Sequence, residues 1–172
     1  AKSYLQEKSG QTPSAPDAPY LYLSDPEHKN LVSSGKTPFL GMTFGELKRL
    51  QIDIEPYSQA EFEFPNAARA SDRITAIALA DSTGWERLIS GKEYGEAEML
   101  GEMVREIQSR DPDVIEGHNI FNFDLPYIAE RAKRHGVKLA LGRDGGVPKR
   151  RASRMSVGER TLSYERFDIF GR

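Results

Sequence analysis

Asp53-Ile54-Glu55 places two carboxylates one residue apart inside Leu50-Gln51-Ile52-Asp53-Ile54-Glu55, a stretch that reads as a buried strand over 50–55. Strand side chains alternate, so Asp53 and Glu55 share one face while Ile52 and Ile54 take the other. Two carboxylates about 6 to 7 Å apart along a strand repel each other unless cations neutralise them or one keeps its proton. A pair of divalent ions roughly 4 Å apart would supply that compensation while activating a water and stabilising a leaving oxygen. The competing reading is a half-exposed strand whose polar face is solvated. A third acid lies in Asn119-Ile120-Phe121-Asn122-Phe123-Asp124, where a strand is expected to end and a helix to begin. Ligands of open α/β sheets gather in that crevice, although Asp124 could equally cap the helix and Asn119 close a turn.

The elements that must position these acids follow from periodicity and punctuation. Residues 73–80 read as a second strand and 85–89 as a third, turned by Asp81-Ser82-Thr83-Gly84, so that three strands form an antiparallel meander. Ala97, Leu100, Val104 and Ile107 recur every three or four residues, which predicts a helix over 93–110 that Pro112 brings to an end. Residues 114–119 read as a strand returned beside the first by a helical crossover. Asp124, Pro126 and Gly136 bracket a helix over 124–135. Together these predict an α/β architecture with a mixed central sheet flanked by helices.

The remaining segments are less regular. Residues 1–19, interrupted by Pro13, Pro16 and Pro19, read as a flexible arm or linker, leaving 20–172 as the domain. Residues 20–23 read as an edge strand closed by Ser24-Asp25-Pro26, with His28 in a loop and without an obvious partner. Gly35-Lys36-Thr37 lacks the earlier glycine of a phosphate loop, since Asn30 stands there. Thr43-Phe44-Gly45-Glu46 fits a capping box that starts a short helix. Residues 156–170 read as two short strands joined near Gly158-Glu159. From 131 to 154 the chain holds nine basic residues and one acid, Asp144. Lys149, Arg150 and Arg151 form the densest part of this loop-like segment, suited to phosphates or to a solvated face. His118 reads as a packing or turn histidine and His135 as a helix C-terminal one.

Composition narrows the chemistry. Across 172 residues, 24 basic and 26 acidic side chains nearly cancel, so any attraction to nucleic acid must be local. The chain has no cysteine, which excludes thiolate metal sites, disulfides and a cysteine nucleophile. No apolar run approaches the length of a membrane span and no apolar signal segment opens the chain, so the expected setting is cytoplasmic, with no membrane partner.

The two acidic motifs together resemble a known family. Asp53-Ile54-Glu55, followed about 70 residues later by Asn119-x3-Phe123-Asp124, is similar to the first two exonuclease motifs of family B DNA polymerases. Asp111-Pro112-Asp113-Val114-Ile115-Glu116-Gly117-His118-Asn119 and Arg166-Phe167-Asp168-Ile169-Phe170-Gly171-Arg172 extend the resemblance. It implies an RNase H-like 3′–5′ proofreading exonuclease fold. It further implies Asp53, Glu55 and Asp124 as catalytic, metal-binding carboxylates for two divalent ions, Mg2+ or Mn2+. Asn119 would position the terminal nucleotide and Phe123 would support the site. The partners implied are a single-stranded DNA 3′ end or primer-template DNA, and the polymerase domain of a parent chain. Pro56 departs from the threonine the family commonly has there. The third motif, Tyr-x3-Asp on a helix, has no match, because Tyr164-Glu165-Arg166-Phe167-Asp168 sits in a strand-like stretch. The expectation is therefore a fragment, incomplete at its C-terminus, inactive alone and a poor binder of metals. The alternative is a non-catalytic nucleic-acid-binding or structural module of the same fold.

Overall fold

The computed structural model describes residues 2–13, 15–23, 25–36, 40–59, 61–158 and 160–172, apart from the side chains of Val157 and Arg160. Ser24, Thr37 and Glu159, members of three of the short motifs above, lie outside them. The chain forms two compact units, residues 1–43 and 44–172.

The first unit holds α1 (Lys2–Ser9) and α2 (Pro26–Ser34). The three prolines fall after α1 and so do not interrupt it. Asp25 opens α2: its side chain accepts from the Glu27 and His28 N–H groups, and Pro26 occupies the first turn, where no N–H is needed. Asp25-Pro26 therefore begins a helix rather than closing a strand, and residues 20–23 pair with no strand among the described residues. His28 is helical rather than in a loop and lies 3.8 Å from Asp25, but it stands exposed as an ordinary surface histidine.

The second unit is a mixed α/β fold. After a single 3-10 turn at Phe44–Glu46 come β1 (Arg49–Pro56), β2 (Ile74–Asp81) and β3 (Glu86–Ser90). These form the expected antiparallel meander. α3 (Glu96–Arg110) then crosses to β4 (Val114–Glu116), which pairs parallel with β1, giving the order β3-β2-β1-β4. Alternation works as expected on β1, where Leu50, Ile52 and Ile54 are buried and Gln51, Asp53 and Glu55 exposed. The buried set joins Ile77, Leu79 and Ile89 in one core with Met99, Leu100, Met103 and Ile107 of α3. Ile128 and Ala132 of α4 (Asp124–His135) complete it, so both helices serve the oily face. Gly136 stops α4 in the left-handed conformation, φ 65°.

Two boundaries move for local reasons. α3 begins at Glu96 rather than 93, because Gly95 takes the cap position and its N–H donates to the Glu98 carboxylate at 2.8 Å. β4 is half its expected length, and the residues after it turn to build the site. The third change is larger. Lys149, Arg150 and Arg151 lie not in a loop but in β5 (Lys149–Val157), which pairs antiparallel with β6 (Arg160–Asp168) in a separate two-stranded sheet. Acids on the returning strand explain it: Arg150 pairs with Glu165, and Arg151 with Asp168 at 2.7 Å, both diagonal cross-strand partners. Among the described residues no helix is long and apolar enough to cross a membrane.

Candidate active site

The site forms where β4 stops. Along β1 the backbone groups of alternate residues face alternate sides: Ser82 N–H donates to the Arg49 carbonyl and Tyr57 N–H to Arg73, both toward β2. Even-numbered residues therefore face β4, which pairs only with Arg49, Leu50 and Gln51. Beyond that point two other groups take over the edge. Gly117 packs so closely that a Cβ there would lie 2.6 Å from the Ile52 carbonyl oxygen. The Asp124 Oδ1 then accepts the Ile54 N–H at 3.3 Å. A carboxylate thus replaces the missing strand at the one residue that separates Asp53 from Glu55.

Asp124 is delivered there by a compact turn. Asn119 adopts φ 54°, and its carbonyl accepts the N–H groups of Asn122 and Phe123, each at 3.0 Å. Asn122 Nδ2 also donates to Asn119 Oδ1 at 2.9 Å. The Asn119 side chain is exposed, while Phe123 packs against the core and stands 5.6 Å, ring to ring, from Tyr127. Asp124 does not cap α4 with its side chain, which is spent on β1.

Asp124 is only 1% exposed, and its Oδ2 has no hydrogen-bond partner. Burial pushes its carboxyl above the usual carboxylate range, and the negative charge of Asp53 adds to the rise. Asp53 and Glu55 project onto the uncovered face of the sheet, where Asp53 borders a depression of about 510 Å³ with Ala78, Ala80 and Leu88. The donors are hard carboxylate oxygens, of the kind that suits magnesium or manganese, and a buried oxygen without a partner beside a like charge is what a cation would satisfy. The donor chemistry therefore fits divalent ions. The cage is incomplete, since no three such side chains among the described residues already stand in ligating arrangement. Asp168 does not add to it, being paired with Arg151 and Arg166 in β6.

Pro56 sits at the irregularity where β1 and β2 change register. Its nitrogen faces the side that β4 has already left, so proline costs the ladder no hydrogen bond there.

A cleft of about 380 Å³ opens between residues 64–69 and the turn that leads into α4; Phe64, Asn122, Phe123 and Tyr127 line it. Phe64 is 73% exposed at its rim, and the Arg69 guanidinium lies 3.7 Å over the neighbouring Phe62 ring. Sequence reading passed over these aromatics because they fall in the connection after β1. The pair Phe62-x-Phe64, apolar residues in a segment otherwise rich in turn formers, was the available signal.

Gly117→Ala should destabilise this unit by about 1–3 kcal/mol, because backbone is the obstacle and cannot swing aside. Urea unfolding of the two proteins measures the loss, and an unchanged midpoint would mean that β4 can shift without cost.

The family described as DNA polymerase family B, exonuclease domain, matches residues 25–172. This chain belongs to that family. Among polymerases it resembles, DNA polymerase 1 of Pyrococcus abyssi is 34% identical over 149 residues, covering 81% of this chain and 18% of that polymerase. The DNA polymerase of Thermococcus litoralis is 36% identical over 151 residues, covering 81% and 8%. The solved family B DNA polymerase of the hyperthermophilic archaeon Pyrobaculum calidifontis superposes with a TM-score of 0.54 at 37% identity, over 60% of this chain and 13% of that one. The chain thus spans less than a fifth of the length of these relatives. The family B match runs through both acidic motifs and the hairpin, so the resemblance drawn from Asp53, Glu55, Asn119 and Asp124 is to the family the chain belongs to.

Proposed function

We propose that residues 20–172 are part of the RNase H-like 3′–5′ exonuclease domain of a family B DNA-directed DNA polymerase, acting in the cytoplasm on the single-stranded 3′ end of primer-template DNA. The observation that carries this reading is the Asp124–Ile54 hydrogen bond, which brings a third carboxylate to the strand that bears the first two. Asp53, Glu55 and Asp124 would hold two magnesium or manganese ions. When bound, these would supply Lewis acidity, an activated water and charge stabilisation at the departing 3′ oxygen. The chain's own residues orient and exclude. Asn119 holds the turn and presents its side chain to the terminal nucleotide, Phe123 backs the site, and Phe62 and Phe64 offer exposed ring faces on which unpaired bases can stack. Three of the family's four carboxylates are present, so the 172-residue chain alone is expected to bind metal weakly and not to cut; the remaining exonuclease segment and the polymerase domain are its partners in this reading.

The second reading, a nucleic-acid-binding module without catalysis, is favoured by the absence of a ready three-acid cluster among the described residues. Cleavage of a 5′-labelled single strand with magnesium or manganese separates the two. Shortening from the 3′ end once a fourth carboxylate is supplied supports the exonuclease, whereas a folded protein that binds the strand and never shortens it supports the module.

Lys149, Arg150 and Arg151 are proposed to contact phosphates without reading sequence. Arg150 and Arg151 must exchange Glu165 and Asp168 for phosphate oxygens, whereas the described contacts give Lys149 no ion pair. Changing all three to glutamine should lower the slope of log affinity against log salt by between about one and three for a single-stranded oligonucleotide. An unchanged slope assigns the hairpin cations to their carboxylate partners alone.

A further inference from the structure

The helix that delivers Asp124 also grips the aromatic segment across the cleft. Residues 124, 127, 131 and 135 lie along one face of α4. Tyr127 Oη donates to the Asp72 carbonyl at 2.7 Å. Arg131, 1% exposed, spends its fork in two directions. Its Nε donates to Glu96 Oε1 at 2.7 Å and its Nη2 to Glu96 Oε2, while Nη1 donates to the carbonyls of Ala67 at 3.1 Å and Arg69 at 2.7 Å. Glu96 is fixed in turn by the Ile74 N–H at 2.8 Å and by His135 Nε2 at 2.7 Å.

Inside the gripped segment the order passes outward to the rings. The fully buried Asp72 carboxylate accepts the Asn66 N–H at 2.9 Å, Arg69 Nε at 2.8 Å and Ser71 Oγ at 2.7 Å. Arg69 Nη2 donates to the Phe64 carbonyl at 2.6 Å, and its guanidinium covers Phe62. The places of Phe62 and Phe64 therefore follow from Arg69, that of Arg69 from Asp72 and its own carbonyl, and those from Tyr127 and Arg131.

We propose that Arg131 is a positioning residue for the 3′ end: through the backbone of residues 67–72 it sets Phe64, beside the Arg69-covered Phe62, across the cleft from the Asn122-Phe123 turn that precedes Asp124. This rests on the exonuclease reading for the identity of the ligand, a single strand with unpaired terminal bases. Arg131 itself touches no substrate. Its role needs a planar fork that reaches a carboxylate and two carbonyls at once, which a lysine ammonium cannot span.

The experiment compares the wild-type chain with Arg131→Lys and with Tyr127→Phe, which lacks one oxygen only and guards against a lysine variant that does not fold. Amide hydrogen exchange is read at Asn66, Arg69 and Asp72 beside Ile77 and Leu79 of β2. Binding is read with an oligothymidine ending in a 3′ 2-aminopurine, whose fluorescence falls on stacking. The expected result for a folded variant is exchange about tenfold faster at 66, 69 and 72 with β2 changed less than about twofold. Quenching of the terminal base should fall in parallel, more in the lysine variant than in the phenylalanine one. Exchange that quickens equally in the segment and in β2, or quenching that survives a loosened segment, overturns the positioning role and leaves Arg131 as an ordinary core ion pair. A wild-type chain that neither binds nor quenches the oligonucleotide overturns the exonuclease reading itself and the substrate role of Arg131 with it.

Discussion

Arg131→Ala is expected to cost the 44–172 unit about 3–5 kcal/mol, the loss typical of breaking a buried ion pair from one side. The side chains of Arg131 and Glu96 are 2% and 6% exposed. Removing the guanidinium leaves a carboxylate in the interior with only the Ile74 N–H and His135 as partners, and strands the carbonyls of Ala67 and Arg69. For a domain whose whole stability is on the order of 5–15 kcal/mol, that is enough to leave much of it unfolded on mild warming. Changing both partners to methionine should regain part of the loss, since no unpaired charge remains. Burial works to raise the Glu96 carboxyl, but the Arg131, Ile74 and His135 hydrogen bonds outweigh it and hold it below the ordinary value. Its stabilisation is therefore present above the unfolded-state value, about 4.3, and is lost as the pH falls through the folded one. The wild type's advantage over the double methionine protein should shrink on acidification. Urea midpoints for the three proteins at neutral and acid pH decide this; a loss below about 1 kcal/mol for the alanine variant would mark the pair as behaving like an exposed one.

How much of this was legible in the sequence depends on whether each signal is local. β1 was readable because Leu50, Ile52 and Ile54 alternate with acids, and α4 because Asp124, Pro126 and Gly136 punctuate it at both ends. The early end of β4 was not, because it depends on the approach of Gly117 to Ile52, a residue 65 positions away in the chain. β5 was missed because its cations look unpaired until β6 folds back and supplies Glu165 and Asp168. The role of Arg131 was hidden for the same reason: it was counted in a basic run, whereas its partners lie on α3 and in the connection after β1. Asp53, Glu55 and Asp124 stand out in the sequence by motif, whereas the tie of Asp124 to the residue between the other two is a backbone N–H that no motif records.

The largest expected effect is on cleavage, and it is coupled to a gain in stability. A protein in which a helix bearing Tyr-x3-Asp from a family B relative follows Arg172 should shorten a 5′-labelled single strand from its 3′ end when magnesium or manganese is added, where the 172-residue chain does not. In that longer protein, replacing Asp53 and Glu55 with alanine should lower the rate by about a thousandfold or more, since several kcal/mol of metal-dependent stabilisation is withdrawn. Both side chains stand on the exposed face of β1, so their loss relieves repulsion without opening the core, and folding should be unimpaired. Asp124→Asn should be equally inactive but measurably more stable than its parent in metal-free buffer. The amide oxygen can still accept the Ile54 N–H, and a neutral amide is cheaper to bury than a carboxylate. The sign follows from the raised carboxyl of Asp124: its charged form costs stability at neutral pH, and that cost disappears as the pH falls through the folded-state value and the group takes up its proton. The melting temperatures of parent and Asp124→Asn should therefore differ most near pH 7 and converge in acid. Added divalent metal should narrow the gap from the other side, by stabilising only the protein that keeps the carboxylate. An Asp124→Asn protein that melts lower than its parent at pH 7 would show that this acid is held for structure rather than for the metals, and retained cleavage would remove it from the site.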